Sequence, residues 1–375
     1  MIFYVDKIRQ YEKVIKGIMA KCEKLDNTFF LDFSKGVLEI SDPESGIFAT
    51  LSFQEGQSTN GSDYSGYVDA LSFLAISKSF DDLEVTEDLE FFRGEESFKL
   101  KSLDRMPTNF DIDSIEVEKV IDIDHEIAHM LEASISHLPE KPKDSDEANK
   151  SAMYFQYKED QGSKLITTDG TTIFIGDVSD YVNNSFLIPG KTASVCLAAL
   201  SEGMSVSIFD ETEHMGSKNR IITEFEGGEM KVVFSKDDNL SNPPDFFDKN
   251  ILKRLTSEDY LLVEKYVLVD ILKFFSPFTS RLITQDLELS VESDNEAFIK
   301  SNVGIVGKRV LDINSVSPEL IGTSINFPRD ALLNSLKKIH DDFIQIAYSE
   351  ESAGFSITGS TNKDIMIGVL KIGLS

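Results

Sequence analysis

The chain has no tryptophan, two cysteines and five histidines in 375 residues, and its 37 Lys+Arg are outnumbered by 65 Asp+Glu. Cys22 and Cys196 stand far apart in apolar contexts, so neither a disulfide framework nor a thiolate metal site is available, and both read as core residues. No apolar run approaches the ~18 residues of a membrane span. Met1-Ile-Phe-Tyr-Val-Asp-Lys meets charge at the sixth residue, too early for the apolar core of a signal peptide. The expectation is a cytoplasmic protein with no membrane partner. A net charge of -28 excludes a surface that grips nucleic acid everywhere by counterion release, although it leaves room for a local basic patch. No Gly-rich loop ends in Gly-Lys-Ser/Thr, so any ATP hydrolysis must come from a partner.

What is present describes a globular chain, with 41% hydrophobic residues. At this length one core would be oversized, and two or three domains are expected. The sequence repeats with a period of about a third of the chain. Three segments run from a short apolar strand into a helix: Ile2 to Leu25, Val120 to Leu138 and Leu261 to Phe278. Three more give a strand end, a turn residue and a second helix: Val68 to Phe80, Ile188 to Leu200 and Phe327 to Ile339. First and second helices start at 6 and 69, 124 and 190, and 265 and 329, so their spacing is nearly constant. Between them lie runs of period two, such as Val37-Leu-Glu-Ile-Ser, Thr172-Ile-Phe-Ile and Met230-Lys-Val-Val-Phe. The expected fold is α+β, three similar domains of antiparallel sheet plus two helices, at 1–117, 118–258 and 259–375. Residues 139–150 carry no apolar periodicity and read as a solvated loop.

Charge is unevenly placed. In the first helix Ile8, Tyr11, Ile15, Ile18, Cys22 and Leu25 form an apolar stripe, while Lys13, Lys16 and Lys24 lie opposite, with Lys7, Arg9 and Lys21 nearby. Arg329, Lys337 and Lys338 occupy the second helix of the third repeat, and Lys191 that of the second. A basic helix face is ordinarily just solvated. Its recurrence at equivalent places suits a positive inner wall inside a negative shell, around a polyanion.

These residues resemble the bacterial DNA polymerase III beta-subunit sliding clamps over essentially the full chain. Ile166-Thr-Thr-Asp-Gly-Thr-Thr-Ile is similar to that family's Ala-Thr-Asp-Gly-His-Arg-Leu turn, and Met130-Leu-Glu-Ala-Ser, Phe186-Leu-Ile-Pro-Gly-Lys, Pro244-Asp-Phe and Ile365-Met-Ile-Gly-Val-Leu-Lys-Ile match further segments in order. The resemblance implies a non-catalytic processivity factor without cofactor or metal. It further implies a head-to-tail homodimer closed around duplex DNA, helices inside, with a replicative polymerase and an ATP-dependent clamp loader as partners. It makes Lys13, Lys16, Lys24, Lys191, Arg329, Lys337 and Lys338 the DNA-facing cations. Phe98, Leu100 and Phe274 become interface residues. Thr168, Gly170, Thr172, Ile173, Pro244, Ile367, Val369, Leu370 and Ile372 line the partner-peptide pocket. Thr171-Thr172 and Gly368-Val369 depart from the family's His-Arg and Met-Pro, so the pocket should prefer a different peptide; a viral or mobile-element source would suit such divergence.

One motif points elsewhere. His125-Glu126-Ile-Ala-His129 is a literal H-E-x-x-H, which on a helix sets two imidazoles one turn apart for zinc beside a general base. The metzincin continuation fails, with Glu132 and Ile135 where Gly and His are needed. A zinc metallopeptidase is therefore the enzymatic alternative, and a clamp-like scaffold that never encircles DNA the structural one.

Overall fold

Residues 2–22, 28–53, 65–80, 82–85, 90–100, 102–103, 110–138, 152–169, 171–211, 220–236, 255, 257–276, 286–301, 307–348 and 354–370 are described by a computed structural model. The first third runs β1 (Ile2–Tyr4), α1 (Asp6–Gln10), α2 (Glu12–Met19), β2 (Thr28–Asp32), β3 (Val37–Asp42), β4 (Ile47–Ser52), β5 (Ser65–Asp69), α3 (Ala70–Ser79), β6 (Asp82–Val85), β7 (Glu90–Arg93), β8 (Glu96–Lys99) and β9 (Ser102–Leu103). The middle runs β10 (Val117–Ile123), α4 (His125–Ile135), β11 (Ala152–Lys158), β12 (Gly162–Thr168), β13 (Thr172–Asp177), β14 (Phe186–Pro189), α5 (Gly190–Leu200), β15 (Val206–Glu211), β16 (Arg220–Phe225) and β17 (Met230–Ser235). The last third runs β18 (Tyr260–Glu264), α6 (Lys265–Phe274), β19 (Asp286–Val291), β20 (Glu296–Ser301), β21 (Gly307–Asp312), β22 (Ser315–Val316), β23 (Ser324–Pro328), α7 (Arg329–Leu336), β24 (Phe343–Ala347), β25 (Gly354–Gly359) and β26 (Ile365–Leu370).

Each strand-to-helix corner has a local cause. Asp69 caps α3, its carboxylate accepting from the Ser72 amide at 2.7 Å. Asp124 does the same for α4, accepting from Glu126 and Ile127. Pro189 and Pro328 stand at the corners before α5 and α7, where their fixed φ holds the extended turn into the helix. The first helix is not continuous as its stripe suggests: it breaks at Tyr11, which ends α1 and precedes α2. Ile8, Tyr11, Ile15 and Ile18 are nevertheless all fully buried, since the break keeps them on one side.

The hydrogen bonding cuts across the sequence repeat. One compact unit holds residues 1–131 and 188–241, the other 132–187 and 242–375. In the first, a nine-stranded sheet of order β10-β15-β16-β17-β4-β3-β2-β5-β9 joins middle-third strands to the first third through β17 and β4, Val232 opposite Ala49. A four-stranded sheet, β1-β6-β7-β8, completes it. Within this unit α2 packs on α5 at small residues: a Cβ on Gly17 would lie 3.7 Å from that of Ala198. The second unit has its own nine-stranded sheet, β14-β11-β12-β13-β26-β25-β24-β18-β22, sewn together where β13 pairs β26, and a four-stranded sheet, β21-β20-β19-β23. There α6 and α7 pack together.

Candidate DNA-facing surface and partner groove

The basic side chains of the first unit are present as read, but they do not stand free. Lys13 and Lys16 are exposed on α2. Lys13 Nζ lies 2.9 Å from Glu202 Oε1 and 2.6 Å from Ser201 Oγ, just past the end of α5. Lys16 reaches Glu12 Oε1 at 2.5 Å, and Lys78, at the end of α3, reaches the same oxygen at 2.9 Å. Burial would push the Glu12 carboxyl up, yet the hydrogen bonds from Lys16 and Lys78 outweigh it and hold the group below its ordinary range. Lys7 is bonded to Glu229. Arg9 donates to the carbonyls of Ser77, at 2.7 Å, and of Phe80, closing the C-terminal end of α3. Lys191 Nζ donates to the Ser45 carbonyl at 2.7 Å. Lys24 lies outside the described residues.

In the second unit Lys337 is exposed, 3.1 Å from Asn334 Oδ1, and Lys338 is half-buried. Arg329 departs from the sequence expectation. It is 6% exposed, one nitrogen 2.5 Å from Asp330 Oδ1, so it offers no open guanidinium to a phosphate. As the first residue of α7 it turns inward, a position that helical phase alone does not reveal.

The peptide-pocket residues are brought together on adjacent strands and then separated by register. Thr172 pairs with Val369, Ile173 with Gly368, and Phe174 with Ile367. Thr168 pairs with Ile173 across the turn. Because side chains alternate along a strand, Thr172, Val369 and Ile367 share one face while Thr168, Ile173 and Gly368 share the other. The first face is closed core. Thr167 Oγ1 donates to the Ser134 carbonyl there, and His137 Nδ1 lies 2.7 Å from Thr172 Oγ1, its ring beside Phe174. Thr172, Ile367 and Val369 face away from Thr168 and are buried, and Ile173 and Gly368, which share its face, are buried too, so of the nine residues read from sequence only Thr168 is part-exposed among those whose side chains are described. The other face carries the gap left by glycine. A Cβ on Gly368 would fall 2.7 Å from Leu255 Cδ1, so Leu255 seats where a side chain would otherwise project. Asp169 shapes the turn, accepting from the Thr171 and Thr172 amides at 2.7 and 2.6 Å. Gly170, Pro244 and Ile372, and the side chain of Leu370, lie outside the described residues.

His137 and Leu255 were missed in sequence. The stripe Ile127, Leu131, Ser134 extrapolates to Leu138, but α4 ends at Ile135 and the following turn rotates His137 inward instead. A buried His beside a hydroxyl has no signature in spacing alone.

Of the interface residues, Phe98 is half-buried against Phe80, and Leu100 is 5% exposed, a core residue of its own unit. Phe274 is 45% exposed, with the Arg309 guanidinium 4.5 Å over its ring. The H-E-x-x-H lies in the first turns of α4, with His125 exposed and His129 half-buried. Among the described residues no group of three metal-capable side chains forms, so the zinc reading finds no third ligand.

Solved structures of one class match this fold across their full length. The DNA polymerase III subunit beta from Pseudomonas aeruginosa is 13% identical, with a TM-score of 0.76 and 100% of both chains covered. A structure described as a DNA polymerase III beta subunit from Eubacterium rectale is 14% identical, with a TM-score of 0.75, 100% of this chain and 99% of that one. The Helicobacter pylori beta clamp bound to DNA ligase peptide is 17% identical, with a TM-score of 0.72, 99% of this chain and 100% of that one. No protein-family model and no curated protein matches the sequence. At these identities what is shared is the architecture. The chain has the α+β fold of the DNA polymerase III beta subunit from end to end. Among the described residues no helix is long and apolar enough to cross a membrane.

Proposed function

We propose that this chain is a sliding clamp, a non-catalytic processivity factor of the cytoplasm. Two copies, each three repeats at 1–117, 118–258 and 259–375, close head to tail around duplex DNA with the helices inward. The observation that carries the reading is the full-length match to beta subunits, joined to a threefold repeat visible in the sequence itself. Mechanistically, topology replaces affinity. A closed ring cannot leave duplex DNA sideways, so weak sequence-independent phosphate contacts suffice and sliding is not arrested. Lys13, Lys16, Lys191, Lys337 and Lys338 are the described cations assigned to that contact, with Lys24 from outside the described residues.

Ring closure needs two complementary edges, and two are available. Strand β8 ends one four-stranded sheet with Glu95, Glu96 and Lys99 exposed; β21 ends the other with Lys308, Arg309 and Asp312 exposed, Val310 49% exposed and Arg309 lying over Phe274. Net opposite charge on two edges that are unpaired among the described residues favours a heterologous contact over self-pairing of either edge. A polymerase or other partner would place an extended peptide beside Thr168, the half-buried member of a face whose Ile173, Gly368 and Leu255 are buried, with an aliphatic or aromatic anchor matching its apolar character. The clamp loader supplies the ATP hydrolysis.

The test needs no loader. The protein is threaded onto linear duplex, both ends are then blocked with streptavidin, and the sample is washed at high salt. Retention that is lost when the duplex is cut, with a solution mass near twice 41.9 kDa, is the expected result. A monomer released regardless of blocked ends would overturn the reading in favour of a scaffold that does not encircle DNA.

A further inference from the structure

Lys13 and Lys16, assigned to DNA contact on α2, and Lys78 at the end of α3 are each held by a carboxylate of the same surface. Glu12 is the centre of this arrangement: its side chain is only 18% exposed, and one of its oxygens takes both Lys16 and Lys78, from two different helices. Glu202 holds Lys13 from beyond the end of a third helix. All three ammonium groups remain about half exposed, so they are open to solvent and to a ligand while being neutralised from below.

We infer that Glu12 and Glu202 are internal counterions, which occupy Lys13, Lys16 and Lys78 and so set how weakly this surface holds DNA phosphate. The inference rests on the clamp reading and adds to it the residues that limit the grip. A free lysine that binds a phosphate releases the cation condensed there, giving a slope of about -0.9 per contact in log K against log salt. A lysine taken from Glu12 or Glu202 leaves a carboxylate that recruits a cation in turn, and the two exchanges offset. Exposed ion pairs are individually weak, so carboxylate and phosphate can trade places quickly as the duplex moves. A surface built this way keeps positive groups in place without accumulating affinity. The bland role for Glu12, favouring the N-terminal turn of α2 as any acid there does, accounts for one carboxylate but not for its sharing between two helices.

The experiment measures binding of the full chain to a short fluorescently labelled duplex by anisotropy over a salt series, for the native protein, Glu12→Gln, Glu202→Gln and the pair. The double variant is expected to bind several-fold tighter at low salt, with a slope steeper by about 2 to 3, for three released lysines at ~0.9 each. Because any lost negative charge strengthens DNA binding somewhat, Lys16→Gln is measured in both backgrounds. It should be nearly silent alone and cancel about one unit of the steeper slope alongside Glu12→Gln. An unchanged slope in the double variant, or equal effects of Lys16→Gln in the two backgrounds, overturns the inference while leaving the clamp reading intact. Should Glu12→Gln fail to fold, Glu202→Gln alone, at an exposed pair, is expected to steepen the slope by about one, and an unchanged slope there overturns the inference equally. Native protein without affinity for the duplex at any salt, together with failure to be trapped between blocked ends, overturns both.

Discussion

His137 should make the protein lose stability as the pH falls from about 6.5 toward 4. The ring is 3% exposed; Nδ1 is satisfied by Thr172 Oγ1 and, among the described residues, Nε2 has no hydrogen-bond partner. Protonation would create a second N–H donor with nothing to accept it, inside an apolar layer. Burial accordingly lowers the pKa to about 4, with nearby Lys338 adding to the effect and Asp169 opposing it. An unfolded histidine titrates near 6.5. Between those values the unfolded chain binds a proton that the folded chain refuses, so stability is complete above about pH 6.5 and falls as pH drops toward 4. At about 1.4 kcal/mol per pH unit, the loss by pH 4.5 is about 2 to 3 kcal/mol. Chemical denaturation of the native protein and His137→Gln, followed by circular dichroism at matched ionic strength from pH 7.5 to 4.5, isolates the term from carboxylates common to both. At pH 7 the variant should be less stable by about 1 kcal/mol, for the altered hydrogen bond. The curves should then cross, leaving the variant the more stable near pH 4.5. Parallel curves across this range would refute the argument.

Two further outcomes follow from backbone and charge. Gly46 has φ of +63°, and a Cβ there would lie 2.6 Å from Ser235 Cβ, so Gly46→Ala should cost about 2 kcal/mol or more from conformation and overlap together, read as a lower melting temperature. Arg329→Met should be neutral or stabilising by up to about 3 kcal/mol in denaturant unfolding, since the guanidinium is buried with Nε and Nη1 unpartnered among the described residues and its carboxylate neighbour Asp330 is largely exposed. A clear loss of stability in that variant would mean that the buried charge is better compensated than its hydrogen bonds indicate.

The α+β architecture was legible because strand-then-helix segments recur in the sequence at nearly constant spacing. A single stretch such as Thr172-Ile-Phe-Ile gives weak evidence for a strand, but paired helices starting at nearly constant spacing are hard to produce otherwise. The sequence could not say how the strands would be shared. Val232 beside Ala49 and Phe174 beside Ile367 are pairings between distant parts of the chain, and nothing local to either strand names its partner. The described strands of the middle third are accordingly divided between two nine-stranded sheets.

The candidate sites were legible to the extent that they depend on helical phase and no further. Lys13 and Lys16 are exposed where phase puts them, because α2 is long enough for its stripe to define a face. Arg329 and His137 fail at helix ends, one at the first residue of α7 and one just past the end of α4, where phase no longer fixes direction. The groove residues fail for a different reason. Neighbours in a strand project to opposite faces, so a run such as Thr172-Ile173 can contribute only one of its members to any pocket, and the choice is set by what covers the other face. Here His137 covers Thr172, and Ile173, on the opposite face, is buried as well. Ion pairing is the least legible of all, because Glu12 precedes Lys16 by one turn and is readable, whereas Glu202 meets Lys13 only after the sheets have brought α2 and α5 together. A basic stripe in a sequence therefore counts cations, and the fold decides how much of their charge remains available to a phosphate.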